Sequence, residues 1–538
     1  MKIDILLEQL LSDRIIDREY LKLAYEVLKF PNHFEKIEEL ENLKKFLEKR
    51  ISTINKNSKE YLFENDKIFM IDILNGNVLN GLVQYFRRIF PIMDVTYLIE
   101  LNYIEFFKNF FNGFNSTFLK SFFNNILNLK EIERLSFYDF RNCLNWIWQI
   151  FNILKIPEKQ KIDLVFEELK IILKYLIKKD RLSDVLFTEM MVYSMFIHSV
   201  EDMYNDFIKL EREICKPCQN YYLEWVERNK LPPCKKEITK QGKIKLAFIR
   251  PVITFWSPFK LEYSFIKKLL EDKTFSEKHE VYFYTMNMED LGGEKTEKIC
   301  INFLKQLNIK VRSPVSHYKR FVHYCDYAKK VLEFREKLIR DNIDIVIYSD
   351  HFYSVGEFLF ISRVAPKQIY WAHMNTVVDF KGIDKKIIHF PPPKECEKDF
   401  ELFDIELDSI FFEGEKERWK KEAEGIRKRF PEGTIILGAI GRMVKVDNWD
   451  YLKTVAEILK QNPDTVYLAC GPGETNGIKE KIEKLGIANR FYFEGWVDPK
   501  IYAFVIDVYL NTFPNWSGEV VKEYLKLRPE GCVVTLER

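Results

Sequence analysis

Long apolar runs are the first thing missing. Nothing in the 538 residues approaches the ~20 consecutive apolar residues that span a bilayer, which argues against a membrane-spanning segment. A secretory leader is missing too. Met1-Lys2-Ile3-Asp4-Ile5-Leu6-Leu7-Glu8 carries acids inside its apolar stretch, so the N-terminus reads as an amphipathic helix. A soluble, cytoplasmic protein is the expectation. Charge of one sign is also lacking: the net charge is +2, so no basic field points to nucleic acid as a partner. The nine cysteines are scattered over a large chain, which speaks against a disulfide framework. Glycine is nearly absent from the first 238 residues, and with it the turns that a β-rich segment would need.

What is present is globular: 47% apolar and 30% charged residues, in a chain long enough for two or three domains. Residues 1–238 read as an all-α domain. Leu6, Leu7, Leu10 and Leu11 recur at helical spacing, as do Ile162, Leu164, Val165, Leu169, Ile172, Leu173 and Leu176, and Pro31, Pro91 and Pro157 fall at helix boundaries. No 34-residue repeat emerges. From Cys215 to Gly242 the helical period breaks at Lys216-Pro217, Pro232-Pro233 and Gln241-Gly242.

The period then changes to strands alternating with helices. Lys245-Leu246-Ala247-Phe248-Ile249 predicts a buried strand, Leu261–Leu270 a helix, and Val281-Tyr282-Phe283-Tyr284 a strand. Ala328–Arg340 predicts a helix, and strands follow at 343–348 and 368–371. After Pro431 the alternation restarts. The expected fold class is α/β, with two Rossmann-like units, 243–428 and 431–538, behind the helical domain and a cleft lined by strand carboxyl ends.

The last hundred residues carry the chemistry. Thr434-Ile435-Ile436-Leu437-Gly438-Ala439-Ile440 predicts a strand that runs out into Gly441-Arg442-Met443-Val444-Lys445. Arginine binds two phosphate oxygens at once and lysine adds a point charge, so Arg442 and Lys445 suit a diphosphate; a plain solvated pair is the bland alternative. Val466-Tyr467-Leu468-Ala469-Cys470 predicts a strand ending in the turn Gly471-Pro472-Gly473. Asp507–Asn511 predicts a third, emptying through Asn515, Ser517 and Gly518 into a helix with Glu519 and Glu523. Backbone N–H groups of that turn suit phosphate. Glu523, one turn in, suits ribose hydroxyls, whereas Glu519 also reads as a plain helix-start charge. Asp350, His351 and His373 follow strands of the first unit and are candidate bases or donor-sugar contacts, set against structural hydrogen bonding. Cys215 and Cys218, with Cys234, would begin a zinc site, but no fourth ligand stands at a standard spacing.

These segments resemble the GT-B glycosyltransferases, and most of all glycosyltransferase family 41, the protein O-GlcNAc transferases and bacterial adhesin N-glycosyltransferases. The likeness covers about 243–538 and concentrates in 434–526, where strand, basic motif, glycine turn and Asp507–Pro514 follow the family's order. Ala365-Pro366-Lys367-Gln368-Ile369-Tyr370-Trp371-Ala372-His373 resembles the family's Ala-Pro-x-Gln strand. The resemblance implies that Lys445 binds the nucleotide and that Glu523 holds the ribose. It implies a nucleotide-sugar donor, a UDP-sugar, as co-substrate with no other cofactor, and a protein or peptide acceptor. No Asp-x-Asp motif stands at a strand end, since Asp447-Asn448-Trp449-Asp450 does not form one. Metal-independent transfer with no metal ligands is therefore expected.

The family's histidines are replaced in Pro251–Pro258 and in Val497–Tyr502. The chain ends at Cys532–Arg538, where a strand would lead on into further helices, so the second unit reads as incomplete. Two other readings stay open. One is a family-4-like transferase acting on a glycan or lipid-linked acceptor, although Asn515 stands eight residues before Glu523, where the other glutamate of that family's pair would be. The other is a truncated, non-catalytic binding or scaffold protein.

Overall fold

The computed structural model of the chain describes residues 38–56, 58–89, 107–108, 110–197, 199–200, 202, 204–250, 253–255, 257–285, 294–312, 326–349, 354–513 and 518–535. They fall into two compact units, Met1–Ile156 with Gln160–Asp184, and Pro157–Lys159 with Val185–Arg538. Leu6, Leu7, Leu10, Leu11, Pro31 and Pro91 lie outside the described residues.

The described part of the first unit is helical. Its core is aromatic: Phe86 packs edge-on to Phe122 and Trp146, with ring centroids 5.4 and 6.2 Å apart. The apolar set from Ile162 to Leu176 is buried throughout, but it is carried by two helices, Glu158–Asp163 and Phe166–Lys178. Arg141 is fully buried there, and its Nε donates to Asp184 Oδ1 at 3.0 Å. A buried charge is tolerable only when paired in this way.

The second unit opens with helices that run on to Arg228. The expected break at Lys216-Pro217 does not occur. Proline lacks an N–H and crowds the carbonyl four residues back, which ordinarily kinks a helix. Here Glu211–Cys215 forms one π turn immediately before it, with the Lys216 N–H bonded to Glu211 O. The widened turn absorbs the proline, and Lys216–Arg228 continues as α-helix.

Seven strands then form one parallel sheet in the order β3-β2-β1-β4-β5-β6-β7. They are β1 (Ile244–Arg250), β2 (His279–Thr285), β3 (Lys310–Arg312), β4 (Ile345–Ser349), β5 (Lys367–Ala372), β6 (Lys385–Ile388) and β7 (Glu401–Leu402). Five more make a second parallel sheet in the order β10-β9-β8-β11-β12: β8 (Ile435–Ile440), β9 (Thr465–Cys470), β10 (Phe491–Gly495), β11 (Val508–Asn511) and β12 (Cys532–Thr535). The expected α/β class with two parallel, helix-covered sheets is what the structure has.

Both faces of the second sheet are covered. Leu437, Ala439, Tyr467 and Leu510 pack beneath the helix Trp449–Gln461. Ile436, Ile440, Leu468 and Tyr509 pack against Trp419, Tyr524 and Leu527 on the other face. Strands buried on both faces read as continuous apolar runs, which is why β8 and β9 are visible in sequence. β8 lies between β9 and β11. That is the point where strand order reverses, and open α/β sheets bind ligands outside the carboxyl ends at such a point.

Candidate functional site

Three strand ends of the second sheet are stitched together at this point. Gly441 N–H donates to Cys470 O at 2.8 Å, Met443 N–H to Pro472 O at 2.9 Å, and Gly471 N–H to Gly495 O at 2.6 Å. Neither glycine of the turn tolerates a side chain. Gly471 has φ +139°, and a Cβ there would lie 1.9 Å from Gly441 O; at Gly473, φ +138°, it would meet Met443 Cβ at 2.8 Å. The backbone of the glycine turn is thus held against the start of the basic motif.

Arg442 precedes, and Lys445 lies within, the short helical turn Met443–Val446 that follows β8. Arg442 Nη1 donates to Ile197 O at 3.1 Å, which fixes the guanidinium. Lys445 is half-buried. Burial, and secondarily the like charge of Arg442, pushes its ammonium down to about 8, with partial relief from Glu519.

From β11 the chain reaches Gly518, φ +67°, and then the helix Glu519–Leu527. A glycine in that cap position has no side chain with which to satisfy the first-turn N–H groups. The Glu519 carboxylate accepts from its own backbone N–H. It also meets His389 Nε2 just past β6. His389 Nδ1 in turn accepts from Trp371 Nε1 at 2.9 Å. An indole N–H can only donate, so the ring proton of His389 sits on Nε2 and is given to Glu519. Burial would raise the Glu519 carboxyl, but the His389 bond, its own N–H and the Lys445 charge outweigh burial and hold it below the ordinary range. His373, just past β5, packs its ring 5.0 Å from Trp371 and 4.9 Å from His389.

The arrangement therefore gathers His373, Arg442, Lys445, Gly471, Gly473, Gly518 and Glu519. Asp350, His351, Asn515 and Ser517 lie outside the described residues. Glu523 is elsewhere: it is buried, and Lys260 Nζ stands 2.8 Å from its Oε1. Sequence reading ranks Glu523 above Glu519, whereas Glu519 is the carboxylate beside Lys445. His389 is missed in sequence. The available signal was Lys385-Lys386-Ile387-Ile388-His389, a short apolar run ending on histidine just as β5 ends on His373. Cys234 stays apart from Cys215 and Cys218, with its Sγ donating to Lys235 O at 3.2 Å. None of the eight cysteines among the described residues is in a disulfide.

His373, His389 and Glu519 offer metal-ligand atoms within 4.8 Å of one another. Lys445 acts electrostatically on the same carboxylate, and Arg442 acts on Lys445, so positive charge already stands near this spot. Among the described residues no helix is long and apolar enough to cross a membrane.

No protein-family model and no curated protein matches the chain. Solved structures that resemble it are glycosyltransferases. A mutant of the Thermobaculum terrenum O-GlcNAc transferase is 13% identical, with 97% of this chain and 84% of that one covered and a TM-score of 0.44. A glycosyltransferase from Rickettsia africae is 17% identical, over 55% and 79% of the two chains, with a TM-score of 0.38. The lipopolysaccharide outer core galactosyltransferase WaaB is 16% identical over 54% and 80%, with a TM-score of 0.35. Likenesses this distant carry no argument about substrate or reaction.

Proposed function

We propose that this chain is a glycosyltransferase that takes a sugar from a nucleoside-diphosphate donor, UDP in the first instance, and passes it to a protein or peptide. One observation carries the reading: a half-buried lysine, Lys445, next along the same short turn to an arginine held on Ile197 O, at the switch point of a parallel sheet. The sequence resemblance of 434–526 supports it. In this reading Arg442 and Lys445 take the diphosphate, and the first turn of the Glu519 helix adds N–H donors. Gly471 and Gly473 let the turn pack directly against Gly441 and Met443, the start of the basic motif. Glu519, oriented by His389, accepts from ribose hydroxyls, and His373 faces the sugar or the acceptor. The rate comes from holding donor and acceptor in line and stabilising charge on the departing diphosphate. The cations do this without a metal ion at the reacting centre.

The test is thermal unfolding with UDP, GDP, ADP and their sugar conjugates. Ligand at ~100 times its dissociation constant adds roughly 2.7 kcal/mol. One nucleoside family is expected to stabilise the chain, equally with EDTA and with Mg²⁺; no shift from any of them sinks the reading. Stabilisation with no transfer to any acceptor would leave the non-catalytic binding protein, and transfer only to saccharide or lipid-linked acceptors would favour the family-4-like reading.

The lysine makes binding pH-dependent. Its folded value of about 8 lies below the ordinary 10.5. Between those values the unfolded chain keeps a proton that the folded chain has lost, so this group alone makes stability rise with pH in that window. A bound diphosphate restores the proton. At pH 8 binding is expected to take up about half a proton per site, read as a buffer-dependent heat in calorimetry. Uptake that is the same at pH 6.5 and pH 8 would contradict this.

A further inference from the structure

The cysteine pair that the sequence leaves without partners finds them in the fold. Cys215 closes the π turn and Cys218 follows on the same helix, and both thiols are fully buried. Glu189, on the helix Leu182–Ile197, and Glu357, on the helix Ser354–Ile361, come to the same place. One ligand atom from each of Glu189, Cys215 and Glu357 lies within 4.8 Å of the others. Cys218 lies one helical turn on from Cys215 and is electrostatically close to Glu189 and Glu357.

The surroundings are short of positive charge. Tyr222 Oη donates to Glu189 Oε2 at 2.5 Å, and Gln219 Nε2 to Glu357 Oε1 at 3.2 Å. Gln219 also donates to Glu211 Oε2 at 3.3 Å, and Asn375 Nδ2 to Glu211 Oε1 at 2.8 Å. Every one of these donors is neutral. The remaining oxygens, Glu189 Oε1 and Glu357 Oε2, are buried and receive no hydrogen bond from any other group; the two carboxyls meet each other. Buried acceptors turned on one another require either a shared proton or a cation.

We propose that Glu189, Cys215 and Glu357, with Cys218 as the fourth ligand, form a structural site for one zinc ion. Zinc takes four ligands from thiolate sulfur and carboxylate oxygen, and a thiolate in the set selects it over magnesium or calcium. The ion would enter as the thiol protons and the proton between the carboxyls leave to solvent. It would then add a metal tie to the hydrogen bonds that already join these three helices of the second unit. The π turn supplies the geometry, because it sets Cys215 within reach of groups on two other helices; such single turns recur at functional positions.

The test is elemental analysis of the full chain, grown with zinc and purified without chelator. About one zinc per chain is expected. Cys215→Ser and Glu357→Gln are each expected to hold at least about tenfold less. If either variant fails to fold, cobalt loading of the wild type replaces it: a bound thiolate gives a charge-transfer band in the near ultraviolet. A folded wild type that holds no metal and takes up neither zinc nor cobalt overturns the proposal in favour of a shared proton. Zinc retained at full occupancy by both variants overturns it as well. Neither readout depends on nucleotide binding.

Discussion

Lys445→Ala is expected to abolish stabilisation by nucleoside diphosphates and to lower transfer by about 100-fold or more, the usual cost of removing one preorganised charge-stabilising group. The size follows from the setting of the lysine. Its ammonium is pushed down to about 8 by burial and by Arg442, so the free protein gains little from carrying that charge. A diphosphate would supply the counter-charge that burial denies it. The free chain should therefore lose little or no stability in Lys445→Ala, while the ligand-induced shift disappears. That separation distinguishes a binding lysine from a structural one, which would cost stability with or without ligand. Arg442→Lys is the companion variant. It keeps the charge but loses the two-pronged contact and the anchor on Ile197 O, so a partial loss is expected. Thermal shifts and transfer rates on the three proteins decide it. A Lys445→Ala chain that responds to UDP as the wild type does would place the diphosphate elsewhere.

Legibility in the sequence tracks burial and locality. β1, β4, β5, β8, β9 and β11 are central or nearly so and appear as apolar runs. β3, β6 and β7 are two to four residues long and partly exposed. They carry too little pattern to be seen. β10, at the sheet edge, buries only Phe491 and leaves the rest half-buried or exposed, and is missed for the same reason. Pro217 misleads because the π turn that accommodates it is a three-dimensional remedy with no local signature. At the site, Arg442, Lys445 and the glycine turn are legible because a strand end alone positions them. The His389–Glu519 contact joins residues 130 apart, and Gln219–Glu357 joins residues 138 apart. No spacing rule reaches such pairs. The same holds for Glu523, whose partner Lys260 lies 263 residues earlier.

That last pair carries the second large effect. Lys260 and Glu523 are 2.8 Å apart with side chains only 11% and 4% exposed, so removing one partner strands a charge in the interior. Lys260→Ala or Glu523→Ala is expected to cost about 3–5 kcal/mol of stability. The neighbourhood sharpens the penalty for losing Glu523. Lys500 is already held below the ordinary lysine range by burial and by the Lys260 charge, and Glu523 is one of the three acids that offset it. Removing Glu523 leaves two lysines facing each other with less to balance them. Replacing the pair together, Lys260→Met with Glu523→Leu, removes both charges and should be close to neutral, because a buried ion pair gains little over apolar residues of similar volume. A double-mutant cycle in denaturant measures the coupling. A ribose-binding Glu523 would behave oppositely: Glu523→Gln would weaken nucleotide binding while leaving the unfolding midpoint in place, and Lys260→Ala would be mild. Measuring both quantities on the same variants separates the carboxylate that holds the fold from Glu519, the carboxylate that faces the lysine.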